Sequence, residues 1–200
     1  MGQGYPLLAK GASDMSFPGL CQGEIAMQRV MIVGGPGSGK STLARIMGDR
    51  LGLPVFHMDH IHHLPGWQPR PVAEKHAMAH EIEAKDTWVF EGGMSSTYAT
   101  RAARADTLIW LDLPMGLRLW RVTRRLWRSY GQTRPDMADG CVETVGMHTW
   151  EFYVWIVRTR RKQRAKIIKL IAEQGGDLQV RHLSGRRAVD AFLAGLDRVV

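Results

Sequence analysis

The feature that most constrains this chain is a glycine-rich segment between a short apolar run and an amphipathic stretch. Residues 34–42 read Gly-Gly-Pro-Gly-Ser-Gly-Lys-Ser-Thr, which fits the pattern G-x-x-x-x-G-K-[ST]. The run Arg29–Gly34 is typical of a buried parallel strand, and the apolar positions from Lys40 to Leu51 fall on one helical face. This order of strand, loop and helix predicts a turn whose backbone N–H groups surround a phosphate.

Each part of this phosphate-binding loop has an expected role. Lys40 supplies a point charge for the β and γ oxygens of a nucleoside triphosphate, and the Ser41 hydroxyl can bind Mg²⁺. The helix that begins here directs the positive end of its dipole at the anion. The motif alone does not say whether the nucleotide is bound, hydrolysed or used as a phosphoryl donor. We predict that ATP is bound by Gly34, Gly35, Pro36, Gly37, Ser38, Gly39, Lys40, Ser41 and Thr42.

Strands and helices alternate along the rest of the chain. Helical stretches separate four further apolar runs that are typical of strands, at 54–58, 87–91, 107–112 and 178–183. This alternation favours an α/β fold in which helices cover both faces of a parallel sheet. Residues 1–27 show no helix or strand period, so we expect a flexible N-terminal extension before one domain over 28–200.

Composition excludes several classes of protein. The 200 residues include two cysteines, Cys21 and Cys141, too few for a disulfide scaffold or a four-cysteine zinc site. This count favours a reducing compartment, and we expect a cytoplasmic protein. No apolar run approaches the about 20 residues of a membrane-spanning helix, so we expect no membrane partner.

The positive charge is concentrated in one part of the chain. The net charge is +8, and between Arg118 and Lys169 there are 13 basic residues against four acidic ones. Two arginine-rich helical stretches flank a polar, turn-rich segment. Such a segment can act as a lid whose closure brings the arginines over a transferring phosphoryl group. For most of these arginines, the alternative is that they form a solvent-exposed basic face of a helix. We assign Arg124 and Arg125 as catalytic residues, and Arg158 and Arg161 as substrate ligands.

The same charge also suits a nucleic-acid surface. Tryptophans stand among the arginines, at Trp120, Trp127, Trp150 and Trp155. Because they recur near helical spacing, we expect core packing to explain most of them. The charge thus suits nucleotide phosphates or a nucleic acid, and charge alone does not decide between these two partners.

Polar residues end the predicted strands at the edge where a parallel sheet forms its ligand crevice. Asp59 can accept a hydrogen bond from a substrate hydroxyl or hold a water on Mg²⁺, and it can also cap a turn. Glu91 can orient Mg²⁺ through water, and Gly92 and Gly93 allow a substrate to approach the backbone, with a plain tight turn as the alternative. Asp112 is a further acidic candidate at the end of the fourth strand.

Four histidines around Asp59 raise the possibility of a transition-metal site. No second cluster of Cys or His stands elsewhere in the sequence, and a change from strand to loop would scatter the rings. We therefore expect no such site. The four are His57, His60, His62 and His63.

The order of these motifs resembles a known family. After the glycine loop come Met58-Asp59, Leu64-Pro65-Gly66-Trp67, Glu91-Gly92-Gly93 and Asp112-Leu113-Pro114, and then arginine-rich helices around a lid. This order resembles the adenylate-kinase-like P-loop kinases, and more narrowly the group labelled DNA topology modulation proteins.

The resemblance implies a three-layer P-loop NTPase fold with a five-stranded parallel sheet, similar to nucleoside monophosphate kinases. It further implies a substrate-binding region at about 59–85, a helical lid at about 129–146, and ATP with Mg²⁺. The implied activity is ATP-dependent phosphoryl transfer to a nucleotide or a hydroxylated metabolite. The alternative is an ATP-binding regulatory protein that acts on nucleic acid without kinase activity.

The segment expected to bind the acceptor departs from the adenylate kinase sequence pattern. Adenylate kinases carry Asp-Gly-Phe-Pro-Arg after the third strand, whereas this chain has Glu91-Gly92-Gly93-Met94-Ser95. Arg101, in the following helix, could supply the missing arginine to a substrate. Kinases of the shikimate and gluconate type, which this chain also resembles, hold the acceptor hydroxyl with an aspartate in this part of the sequence. Asp59 suits that role.

Overall fold

The structure, a computed structural model, describes residues 27–133, 136–174 and 178–196. The extension predicted over 1–27 lies outside these residues except for Met27, so it stays a prediction. The strands are β1 (Arg29–Gly34), β2 (Val55–His57), β3 (His63–Leu64), β4 (Gln68–Pro69), β5 (Trp88–Glu91), β6 (Thr107–Leu111) and β7 (Gln179–Leu183). The helices are α1 (Lys40–Leu51), α2 (Met58–His62), α3 (Val72–Glu83), α4 (Tyr98–Arg104), α5 (Met115–Arg128), α6 (Met147–Glu173) and α7 (Arg186–Leu196).

The main sheet has five parallel strands in the order β2-β5-β1-β6-β7. The central strand β1 pairs Val30 with Val89 on one side and with Thr107 on the other. Parallel strands end at the same edge of the sheet, so the loops after β1, β2, β5 and β6 meet there. The predicted α/β class and five-stranded parallel sheet are confirmed.

Helices cover the sheet on both faces and give three layers. On one face, Met31, Phe90 and Trp110 pack in a core with residues of α3, α4 and α6. On the other face, Ile32 and Ile109 pack with residues of α1 and α7. Side chains of a strand alternate between faces, which is why one apolar run supplies both cores.

One predicted boundary is wrong in a way that matters for the site. The second strand was expected over 54–58 but ends at His57, and α2 begins at Met58. Asp59 therefore lies in the first turn of a short helix and not at the end of a strand. Met58 and Ile61 of α2 are buried, and this packing against the core explains the early start of the helix.

The expectation that core packing explains the tryptophans is also wrong. Their exposed fractions are 55% for Trp120, 81% for Trp127, 70% for Trp150 and 46% for Trp155. Helix α5 buries only Val122. The helical spacing was correct, but α5 contacts the phosphate-binding loop through Arg118 and Arg121 and leaves Trp120 and Trp127 exposed.

The segment predicted as a lid contacts the small β3–β4 ribbon. Trp67, in the turn between those two strands, donates from Nε1 to the carbonyl of Val142 at 2.9 Å. Cys141 is buried, and its Sγ lies 3.6 Å from the carbonyl of Leu64. This lid segment, of which 129–133 and 136–146 are described, therefore crosses from α5 to the predicted substrate-binding region.

No helix among the described residues is both long enough and apolar enough to cross a membrane.

Candidate functional site

The phosphate-binding loop occupies the predicted turn between β1 and α1. Gly37 and Gly39 have φ values of 74° and 94°, in the left-handed region that favours glycine. A Cβ on Gly37 would overlap the Arg118 carbonyl oxygen, so the loop also packs too closely for a side chain at that position. The loop thus has the tight backbone curl that leaves amides free to face an anion.

Three polar side chains meet beside the loop. Ser41 donates from Oγ to Glu91 Oε1 at 2.9 Å, and His57 Nδ1 lies 2.8 Å from the same oxygen. Lys40 donates from Nζ to the carbonyl of Gly35 at 3.3 Å. The ends of β2 and β5 therefore deliver His57 and Glu91 to the start of α1, as expected for neighbouring parallel strands.

Glu91 is ionised although it is only 2% exposed. Burial raises the pKa of its carboxyl, but the hydrogen bond from His57 and the charge of Lys40 outweigh this effect, and the net pKa lies below its ordinary value. A buried carboxylate of this kind sets a fixed negative charge beside the loop.

The donor set at this position suits Mg²⁺. A hydroxyl and an ionised carboxylate are oxygen ligands, which Mg²⁺ prefers, and it commonly keeps several waters. Ser41 would hold the ion directly, and Glu91 would act through water. Asp59 lines the same groove and is a second candidate for such a water.

The four histidines form two ring contacts, His57 with His60 at 5.6 Å and His62 with His63 at 6.1 Å, and three of them have further partners. His57 contacts Glu91, His62 Nε2 lies 3.0 Å from the Gly93 carbonyl oxygen, and His63 packs edge-on against Trp67. Within the described ranges, no three side chains of His, Cys, Asp or Glu are grouped so that they could hold a metal ion.

A large groove of about 1910 Å³ runs past the loop. Its walls come from the phosphate-binding loop, α2, the turn after β5, α5, the lid segment, α6 and α7. Cationic residues from three of these helices line it, among them Arg121, Arg124, Arg125, Lys162, Lys166 and Arg186.

Two arginines of α5 donate hydrogen bonds to the phosphate-binding loop. Neither was assigned to the site from the sequence. Arg118 donates from Nε to the Pro36 carbonyl at 3.0 Å, and Arg121 donates from NH1 to the Ser38 carbonyl at 3.3 Å. Burial lowers the pKa of Arg118. The spacing of three residues was visible in the sequence, but nothing there indicated that this face of α5 meets the loop.

The two arginines assigned to catalysis both line the groove. The Arg124 guanidinium lies over the Trp120 ring, 5.2 Å from its centroid. This stacking holds Arg124 at the groove wall while leaving its edge available for oxygen ligands.

On α6 the structure places lysines, not the predicted arginines, at the groove. Lys162 and Lys166 line it, and Lys166 donates from Nζ to Ser95 Oγ at 2.8 Å. Arg161 faces a separate, smaller cavity, and Arg158 lines neither space. The i, i+4 spacing of the two lysines is the signal that could have found them.

The predicted acceptor residues divide between the groove and the interior. Asp59 and Gly93 line the groove, whereas Gly92 is buried behind it. Arg101 is fully buried, donates from NH2 to the Gly92 carbonyl at 3.0 Å and lies over the Phe90 ring. Burial lowers the pKa of Arg101 to about 10. In this structure Arg101 supports the groove wall from behind.

Comparisons with known proteins give structural likenesses only. No family model and no curated protein matches this chain. A shikimate kinase from Acinetobacter baumannii, in complex with shikimate, is similar with a TM-score of 0.49 and 17% identity, over 86% of this chain and 92% of that chain. A shikimate kinase from Bacteroides thetaiotaomicron has a TM-score of 0.49 and 16% identity, over 86% and 98% of the two chains.

A gluconokinase from Sinorhizobium meliloti 1021 has a TM-score of 0.46 and 15% identity, over 86% of this chain and 93% of that chain. These similar structures are small-molecule kinases.

Proposed function

We propose that this protein is an ATP-dependent kinase that transfers the γ-phosphoryl group of ATP to a small hydroxyl-bearing acceptor. The observation that carries the proposal is the cluster of Lys40, Ser41 and Glu91 beside a glycine loop, at the edge of a groove lined with cations. Phosphoryl transfer needs positioning and charge neutralisation more than covalent chemistry, and this arrangement offers both.

Each side chain has a part in the proposed reaction. The loop amides and Lys40 bind the β and γ phosphates, and Ser41 and Glu91 would hold the Mg²⁺ that neutralises them. Arg124 and Arg125 stabilise the charge on the transferring group from the groove wall. Arg121 keeps α5 on the loop through the Ser38 carbonyl.

The acceptor is proposed to lie at the other side of the groove, between Asp59, Gly93 and Lys166. Its hydroxyl oxygen forms the new bond to the γ phosphorus, the bond from that phosphorus to the bridging oxygen of ADP breaks, and the hydroxyl proton passes to the Asp59 carboxylate. Lys162 and Lys166 favour an acceptor that carries negative charge, which suits a nucleotide or an acidic hydroxylated metabolite.

A second candidate function is favoured by the exposed tryptophans. Trp120, Trp127 and Trp150 are more than half exposed among arginines, which suits stacking on unpaired bases. This would agree with the resemblance to topology modulation proteins, as an ATP-binding regulator that acts on nucleic acid. It predicts tight nucleic-acid binding with a steep salt dependence, whereas the kinase predicts weak binding.

The test is ADP release from ATP and Mg²⁺ with a panel of nucleoside monophosphates and hydroxylated carboxylic acids, against a blank without acceptor. We expect one acceptor class to raise ADP release above the blank, and Lys40→Ala to abolish the increase while the melting temperature is kept. If no acceptor raises ADP release, or if Lys40→Ala phosphorylates at the wild-type rate, the kinase proposal is wrong.

A further inference from the structure

A second cavity, separate from the groove, lies between α5 and α6. It has a volume of about 190 Å³, far above the about 10–15 Å³ that one water needs. Its floor is the end of β6 with Trp110, and Gly35 of the phosphate-binding loop reaches one side. Gln163 and Ile167 line both spaces, so they form the wall that separates this cavity from the groove.

The cavity is strongly cationic. Four guanidinium groups line it, and Asp112 is the one carboxylate among its lining residues. Arg164 donates from Nε to Asp112 Oδ2 at 3.0 Å, and His182 Nε2 lies 3.3 Å from the same oxygen. Asp112 therefore pairs with Arg164 and His182, and its charge also acts on Arg118. The remaining lining cations are Arg118, Arg160 and Arg161.

These three arginines have few partners within the described ranges. Arg118 uses Nε on the Pro36 carbonyl, and no acceptor meets its two terminal nitrogens. Arg160 has only the thioether sulfur of Met115, 3.8 Å from NH1, and Arg161 has no hydrogen bond or ion pair there. Arg160 and Arg161 are exposed, and the charge of Asp112 acts on Arg118, so four guanidinium groups line this cavity against one carboxylate.

The apolar lining favours an organic ligand over a bare ion. Trp110, Leu113, Met115 and Ile167 contribute walls beside the arginines. The His182 ring stacks on Trp110 at 4.3 Å between centroids, and the Arg164 guanidinium lies over the same ring at 5.4 Å, so Trp110 is only 2% exposed. A phosphate group suits the guanidinium forks, because Arg binds its oxygens in bidentate fashion, and an attached carbon group suits the apolar floor.

We propose that this arginine cavity is a binding site for a small phosphate monoester, beside the phosphate-binding loop but outside the groove. Arg118, Arg160 and Arg161 bind the phosphate group, and Met115 contacts the organic part. The site does not depend on the proposed kinase activity, since none of these four residues lines the groove.

The test is calorimetric titration of the full-length chain with phenyl phosphate and with inorganic phosphate. Because the phosphate-binding loop can also bind phosphate, the titrations are done on the Lys40→Ala variant, which weakens that site. Arg160→Gln with Arg161→Gln is added to remove the cavity cations. The matched control adds Lys169→Gln with Arg187→Gln, two exposed cations that line neither space and give the same net charge.

We expect phenyl phosphate to bind the Lys40→Ala chain more tightly than inorganic phosphate does. The cavity variant should weaken this binding at least about tenfold, the effect of one lost charged hydrogen bond, and the control should leave it within about twofold. Melting temperatures check that all variants fold. The proposal is overturned if phenyl phosphate does not bind the Lys40→Ala chain, if the cavity variant binds it equally well, or if only inorganic phosphate binds.

Discussion

Glu91 receives hydrogen bonds from two different elements. Ser41 at the start of α1 and His57 at the end of β2 both meet its Oε1. The carboxylate therefore fixes the Ser41 hydroxyl in place and supplies negative charge where Mg²⁺ would lie. Its burial makes both functions sensitive to the loss of the charge.

Replacing Glu91 by Gln should lower kcat about 100-fold and raise the Mg²⁺ concentration needed for half-maximal activity. The amide keeps the size of the side chain but loses the charge. The measurement is ADP release as a function of Mg²⁺ concentration. Glu173→Gln, at an exposed carboxylate of α6, is the control and should behave like wild type. An unchanged Mg²⁺ dependence in Glu91→Gln would remove Glu91 from the site.

Two adjacent glycines should respond differently to alanine. Gly92 has a φ of 122°, and a Cβ there would overlap Met58 Cβ. A Cβ on Gly93 would meet only Tyr98 Oη, at 3.8 Å. Gly92→Ala should therefore lower the free energy of unfolding by about 2–4 kcal/mol, and Gly93→Ala by less than about 1 kcal/mol. Urea unfolding checks both, and equal effects would contradict the packing described here.

The two halves of helix α5 contact different parts of the site. Arg118 and Arg121 in its first half hold the phosphate-binding loop, and Arg124 and Arg125 in its second half line the groove. A rotation of this helix would move all four residues together. The helix thus couples the position of the loop to the position of the cations opposite it.

Arg124→Ala with Arg125→Ala should lower kcat at least about 100-fold, because the charge on the transferring phosphoryl group would lose its stabilisation from the groove wall. The melting temperature should change little, since Arg124 packs on the exposed Trp120. Lys169→Ala with Arg187→Ala carries the same charge change at exposed positions and is the control. If the α5 variant keeps the wild-type kcat, these arginines have no part in transfer.

The order of the five main strands could be read from the sequence because each is a short apolar run between helical stretches. The segment from Met58 to Trp67 could not, since burial of Met58 and Ile61 against the core draws Asp59 into a helix. The exposure of Trp127 was missed for a related reason. Spacing shows that residues share a face of a helix, but only the fold shows whether another layer covers that face.

The candidate site could be predicted where a local motif defines it. The glycine loop with Lys40 and Ser41 is such a motif, and the position of Glu91 at the end of a strand placed it beside the loop. The links of Arg118 to Pro36 and of Lys166 to Ser95 join residues that lie 82 and 71 positions apart. Contacts of that kind depend on how helices pack, and no local pattern encodes them.

At the scale of the whole molecule, the partly exposed ion pairs of Asp112 connect stability to pH. Burial raises the pKa of the Asp112 carboxyl, but hydrogen bonds from His182 and Arg164 outweigh it and the net pKa lies below the ordinary 3.8. The ionised carboxylate therefore stabilises the fold above that value, and the contribution disappears as the pH falls through the lower, folded-state pKa.

Wild type should consequently lose more stability between about pH 5 and pH 3 than Asp112→Asn does. Asp190→Asn is the control, because its ion pair with Arg186 is exposed and contributes little. The measurement is the urea midpoint at several pH values for the three chains. A parallel loss in wild type and Asp112→Asn would show that Asp112 does not contribute to acid unfolding.

Calorimetric titration with ATP and Mg²⁺ tests most directly whether a nucleoside triphosphate binds at the glycine loop. We expect one molecule of ATP per chain to bind wild type, binding weakened at least about tenfold in Lys40→Ala, and no change in Lys169→Ala. Wild type that shows no binding, or Lys40→Ala that binds as tightly as wild type, would contradict the assignment.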